Sequence, residues 1–276
     1  MGQQDDFQCK ELRQQIFITG YSGGMAHLAS CFSAVEILYT LYMKDILKHD
    51  PRNPDMPDRD RFVLSKGHAG LALYAALWKA GYLSLKELHS YLKPNCHIGG
   101  EPNMGDLKGI EASTGSLGHG MSAAVGMAMA QKLDGNGAKT YVMIGDGECQ
   151  EGTIWEAAMS AMAFSLENLI VILDCNQLQK TNRVEETLKY VDWTHKWEAF
   201  GWNVIETDGH NVDGLKEAFH CNPLNGKPTI VIAHTVKGKG VSIMEDNPIW
   251  HFKLPNKKEK CIFLEELGIT EEELEV

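Results

Sequence analysis

The chain predicts an α/β protein with a mostly parallel β-sheet sandwiched by helices, and three observations carry this reading. Apolar runs at residues 141–144 and 169–173 bracket a helical stretch at 151–165, the pattern of two buried parallel strands joined by a crossover helix. Further short apolar strands at 62–64, 202–206 and 229–233 alternate with helical segments, which covers both faces of a sheet. The length of 276 residues suits one large core, because single cores stop growing at roughly 250–300 residues. A single domain over 1–276 is therefore expected.

Residues 10–19 and 33–47 have helical spacing, with Ser33 placed to cap the second. After the 62–64 strand comes a helix at 71–80, stopped by Gly81. Residues 118–133 are rich in Ala, Gly and Met, a small-residue helix that allows a neighbour to approach closely. The sequence shows no repeat, low-complexity tract or Pro/Gly/Ser linker. From Lys257 charge density rises, so 257–276 reads as a charged C-terminal end, with TEEELEV solvated or frayed.

Composition excludes several function classes. With 26 basic against 37 acidic residues the net charge is −11, unsuited to nucleic acid, whose binding needs Lys and Arg to neutralise phosphates. The start, MGQQDDFQCKELRQQ, has neither signal nor transit character. No run approaches eighteen apolar residues, so no membrane span is expected. Seven scattered cysteines without close pairs read as reduced thiols of a cytoplasmic protein, with Cys149 and Cys175 nearest the site.

Chemistry concentrates at Gly145-Asp146-Gly147, which follows one strand, and at Asn176, which follows the next. In open α/β sheets ligands bind beyond the carboxyl ends of the strands, so both side chains can converge on one cation. Mg²⁺ takes about six oxygens and usually draws some from phosphate. Asp146 offers charge, Asn176 an amide oxygen and Leu178 its main-chain carbonyl. Gly145 and Gly147 let the backbone approach a phosphate. A tight strand-to-helix turn without ligand is the alternative. Thr114 to Gly118, TGSLG, reads as another tight loop before a helix, and His68, after Ser-Lys-Gly, opens a helix whose amides can share an anion with its imidazole.

Gly-Asp-Gly followed thirty positions later by Asn resembles the thiamine diphosphate fingerprint. GDGECQEGTIWEA, SKGH at 65–68 and TGSLGHG at 114–120, in that family's order from about residue 21 to 255, are similar to the transketolase family. The resemblance implies the thiamine diphosphate-binding fold (its diphosphate-binding domain), and thiamine diphosphate with Mg²⁺ as cofactors, Ca²⁺ or Mn²⁺ being possible substitutes. It implies that Asp146, Asn176 and Leu178 hold the metal. His68, Gly115, Ser116, Leu117, Gly145, Asp146, Gly147, Glu148, Asn176 and His251 then serve the cofactor, with Gly115 facing its aminopyrimidine and Leu117 under its rings. His27 in SGGMAHLAS and His97 in CHIGG match sugar-facing histidines, and with His68 and His251 (in IWHFK) they make the catalytic set, imidazoles being suited to moving hydroxyl protons near neutrality. Ala26, Cys96, Ile98 and Phe252 depart from the family's usual neighbours.

Glu151 and Glu156 match an acidic pair at the family's dimer interface, with ordinary helix glutamates as the alternative, and Trp155 is expected at an interface. Lys237 and Lys239 either approach anionic groups or sit solvated in a Gly-rich loop. The other histidines are expected at the surface or in helices, His119 being placed closest to the cofactor.

A complete transketolase has three domains, and this chain matches the first. The resemblance therefore implies the N-terminal subunit of a split enzyme, in an α2β2 heterotetramer with a C-terminal subunit that carries the pyrimidine-binding domain and the catalytic glutamate. The pair would move a two-carbon ketol unit from a ketose, phosphorylated or otherwise, to an aldose. The alternatives are the α component of a 2-oxo acid dehydrogenase and a non-catalytic regulatory subunit.

Overall fold

The computed structural model describes residues 2–180, 182–189, 192–221 and 226–276. Its strands are β1 Arg61–Leu64, β2 Thr140–Gly145, β3 Leu169–Cys175, β4 Asn203–Asp208 and β5 Thr229–His234. They form one sheet in the order β1-β2-β3-β5-β4, and every pairing is parallel. Each predicted strand is present with its ends moved by a residue or two.

The helices are α1 Gln3–Ser22, α2 Leu28–Phe32, α3 Val35–Met43, α4 Gly70–Ala80, α5 Leu85–Leu88, α6 His119–Asp134, α7 Gly152–Ala163, α8 Val184–Thr187, α9 Trp193–Ala199, α10 Val212–His220 and α11 Lys257–Leu267. They cover both faces, as the continuous apolar strands require. Side chains alternate across a pleated sheet, so Phe62, Tyr141, Ile170 and Val231 join the core formed with α1, α3, α4, α10 and α11. Their neighbours Val63, Val142, Val171 and Ile230 join the second core with α6, α7 and α9.

Several local expectations change. The helix expected at 33–47 is shorter, α3 at Val35–Met43, with the separate α2 ending just before it at Phe32, and Ser33 caps neither by its side chain. Its hydroxyl donates instead to Ser30 O at 3.2 Å and to Asp174 Oδ2 at 2.7 Å, because a strand aspartate lies within reach. The helix expected at 10–19 runs the full length of α1. Gly81 ends α4 as predicted, at φ 90°. Trp155, expected at an interface, packs within the chain on Trp197 and Phe200, at ring-centroid distances of 5.2 and 5.0 Å. In the charged end, Asn256 caps α11 by accepting from the Lys258 and Glu259 amides, and Phe263 stacks on Phe17 of α1 at 4.9 Å. Residues 270–273 are exposed.

Candidate functional site

Four neighbouring strands, β1, β2, β3 and β5, deliver their carboxyl ends to one edge of the sheet. The loops that leave them hold Lys66 and His68, Asp146 and Gly147, Asn176 and Leu178, and Lys237. All seven line one cavity of about 290 Å³, the position that ligands take in open α/β sheets. A further wall comes from the TGSLG loop, which lies against the Ser-Lys-Gly-His turn backbone to backbone. A Cβ on Gly67 would stand 2.6 Å from Gly115 N, so only glycine permits this approach.

Asp146 is buried, and its carboxylate ties two strand ends together. Oδ1 accepts from Gly147 N at 2.8 Å and Oδ2 from Gln177 N at 2.5 Å. Burial, and after it the nearby Asp174 carboxylate, push its pKa up to about 7. A buried carboxylate in that condition is stabilised by a cation. Asn176 Oδ1 accepts from Leu178 N at 3.1 Å, which keeps a lone pair. Gln177 between them is left-handed at φ 61°, a conformation that non-glycine residues hold only where surroundings enforce it; it turns the chain sharply between the two metal-ligand candidates. The three residues expected to hold the metal therefore line one cavity.

The rest of the cavity is cationic. Lys66, Lys180 and Lys237 line it; Lys66 and Lys237 are 1% and 2% exposed. Ser30 also lines it, and its buried Oγ has no hydrogen-bond partner. A buried hydroxyl left unpaired is costly unless a ligand satisfies it. Oxygen donors beside Asp146, three ammonium groups and this free hydroxyl fit a metal-bound diphosphate.

The expected cofactor residues divide. Gly115, Leu117, Gly145, Gly147 and Glu148 line the cavity, whereas Ser116 is exposed and outside it. Glu148 also ties the surrounding loops together. Its carboxylate accepts from Ser65 Oγ, Gly118 N and Gly145 N at 2.5, 2.8 and 3.0 Å, so it braces three loops and offers no donor to an anion. Glu151 and Glu156 are exposed, and His119 stands exposed at the start of α6.

His27, His68 and His251 form a triangle, with ring centroids 5.4, 5.3 and 5.5 Å apart. Burial, followed by the charge of Lys237, lowers His27 to about 4 and His251 to about 3; burial and Lys66 hold His68 well below the usual value. All three are neutral near pH 7. Lys237 Nζ lies 3.1 Å from His251 Nδ1; the ammonium donates, which leaves the proton of His251 on Nε2. His97 is exposed and joins neither the triangle nor the cavity lining, so within this chain it stands apart from the other three.

Lys66 stands inside SKGH without a role of its own there, and spacing and motif do not single out Ser30 or Asp174. The last is completely buried in β3 and pairs with Lys66, Thr235 and Ser33. An aspartate inside the apolar run LIVILDC is the available signal; Ser30, in the short helix LASCF, gives none.

The family model described as "Transketolase, thiamine diphosphate binding domain" matches residues 20–252. The chain belongs to the transketolase family, as a subunit carrying its thiamine diphosphate-binding domain. It is 39% identical to an apulose-4-phosphate transketolase subunit of Actinobacillus succinogenes, over 94% of each chain. It is 43% identical to the 6-deoxy-6-sulfo-D-fructose transketolase subunit of a Clostridium species, over 80% of this chain and 81% of that one. Among solved structures, Campylobacter jejuni transketolase superposes with a TM-score of 0.85 at 29% identity, covering 98% of this chain but 43% of that longer one.

Proposed function

We propose that this chain binds thiamine diphosphate through a divalent cation and, with a second subunit, transfers a two-carbon ketol unit from a ketose to an aldose. The observation that carries the reading is the composition of the one cavity: Asp146, Asn176 and the Leu178 carbonyl beside three lysines and the unpaired Ser30 hydroxyl. An all-oxygen donor set suits a hard cation, Mg²⁺ foremost, with Ca²⁺ or Mn²⁺ as substitutes. The chemistry supplied by the bound cofactor is a thiazolium carbon that carries the two-carbon unit.

This chain's residues do the rest of what lies on its side. Ser30, Lys66 and Lys237 hold the diphosphate; Gly115 and Leu117 fix the rings; Glu148 keeps the surrounding loops in register. His27, His68 and His251, neutral and clustered, accept and return hydroxyl protons of the sugar. The lysine at His251 Nδ1 leaves Nε2–H as the donor. His97 joins them only where a donor sugar or the second subunit reaches it.

Two relatives of matching length carry "subunit" in their names, which supports a split enzyme. The partner, on this reading, contributes the pyrimidine-binding domain and the activating glutamate within an α2β2 assembly. The donor is a phosphorylated or otherwise modified ketose. Seven free thiols fit a reducing, cytoplasmic setting.

Reconstitution tests this. The chain alone is expected to be inactive, and the chain with its complement to transfer ketol units from a panel of ketose donors; turnover by the purified single chain would overturn it.

A further inference from the structure

Lys237 shares an oxygen with the proposed metal. Its Nζ lies 3.3 Å from the main-chain carbonyl oxygen of Leu178, the third member of the metal set. Unlike Lys66, which is neutralised by Asp174, Lys237 has no ion-pair partner among the described residues. Nor is it free to leave. Val236 N donates to His210 Nε2 at 2.8 Å, Gly238 N to Ala29 O at 3.0 Å and Asp246 N to Lys237 O at 2.9 Å. Gly238 has φ 83°, and a Cβ there would stand 2.5 Å from Met244 O, so the backbone is pinned on both sides of the lysine.

We propose that Lys237 couples the two ligands, making metal binding conditional on diphosphate. A divalent cation on the Leu178 carbonyl would stand beside a fixed ammonium, and like charges in a pocket screened from water repel strongly. A diphosphate attracts both and removes that repulsion. By linkage, each ligand then raises the affinity of the other by the same factor. The lysine thus weakens metal binding alone and strengthens binding of metal with diphosphate, two effects of opposite sign on one residue. A merely structural lysine would not produce them. The inference rests on the functional reading above.

The test uses the full-length chain and its Lys237→Met and Lys237→Gln variants, checked for folding by circular dichroism. Glutamine keeps a donor for the Leu178 carbonyl, so it separates loss of charge from loss of the hydrogen bond. Calorimetric titrations are run with Mg²⁺ alone and with inorganic diphosphate at saturating Mg²⁺. Both variants are expected to bind Mg²⁺ alone about tenfold or more tightly than wild type, on the scale at which neighbours of a metal ligand alter affinity. Both are expected to bind diphosphate tenfold or more weakly, with the coupling factor reduced. Unchanged or weaker binding of Mg²⁺ alone in the variants, with wild type taking up both ligands, would overturn the coupling role and leave the functional reading standing. Wild-type chain that takes up neither Mg²⁺ nor diphosphate would overturn both.

Discussion

Replacing Asp174 by Asn should unfold this protein at a markedly lower temperature. Asp174 is 0% exposed and Lys66 1% exposed, and the carboxylate accepts from Lys66 Nζ, from Thr235 Oγ1 and from Ser33 Oγ. Burial raises the pKa of Asp174, yet the Lys66 charge and these donors more than reverse that, holding it below its usual value. Asn keeps the shape and removes the charge, which leaves the Lys66 ammonium buried without a counterion. Removing one member of a buried pair costs about 3–5 kcal/mol. For a chain of this size each kcal/mol lowers Tm by roughly 2–4 °C, so a fall of roughly 6–20 °C is expected. Lys66→Met alone should cost a similar amount by stranding the carboxylate. The double variant, Lys66→Met with Asp174→Asn, should lose less than the two together, with a coupling of about 2 kcal/mol. Thermal and urea unfolding followed by circular dichroism read all three. A Tm within about 2 °C of wild type for Asp174→Asn, or additive single effects, would refute the reading of this pair as the electrostatic support beneath the cavity.

Four further outcomes are expected. Asp146→Ala should weaken thiamine diphosphate binding in the presence of Mg²⁺ by about 10–100-fold, and Asn176→Ala by less because its ligand is neutral; calorimetry showing unchanged affinity in both removes the metal assignment. In the reconstituted enzyme, His27→Ala should lower turnover by about 10²–10⁴-fold with cofactor affinity retained. His97→Ala, at an exposed position, should leave Tm unchanged, and only a raised donor KM would support its sugar-facing role. Glu36 gives a pH dependence. Burial alone would raise it, but Arg13, hydrogen-bonded at 2.7 and 2.8 Å, and His210 at 2.8 Å bring it down to about 2 from 4.5. A depressed carboxylate contributes stability that is complete above pH 4.5 and is lost as pH falls toward 2, here about 3 kcal/mol. Glu36→Gln should remove that part of the acid transition in urea-unfolding curves between pH 5 and 2; an unaltered transition contradicts the assignment.

The sheet is legible in the sequence chiefly because β2, β3 and β5 are buried on both faces and therefore read as unbroken apolar runs, whereas the edge strand β4 is part-exposed and mixed in sequence. Period and length then suffice to find them. Helix ends are less legible because they depend on tertiary partners. Ser33 is a good capping residue by local chemistry, yet Asp174, far away in sequence, takes its hydroxyl. α11 reads as a charged tail, since Phe263 and Leu267, one i, i+4 pair, are its buried residues, too short a stripe to stand out in a charged run. Its capping box at Asn256 and Glu259 is the local signal that marks it as a helix.

The site divides along the same physical line. Asp146, Asn176, His68 and the TGSLG loop sit in short motifs, and the family resemblance that those motifs carry together finds them. Ser30 is brought to the same cavity by a helix distant in sequence, and no spacing records that; Lys66 stands inside SKGH and Lys237 in the Gly-rich loop VKGKGV, but their burial at the cavity is set by tertiary packing. Asp174 shows why the two groups belong together. A cavity built to hold diphosphate needs fixed ammonium groups, and fixed ammonium groups need burial, which is destabilising unless a countercharge is buried with them. Lys66 has that countercharge in the protein itself. On the proposed reading Lys237, with no ion-pair partner among the described residues, draws its balance from the ligand, so the chain is expected to be most stable when metal and diphosphate are bound together.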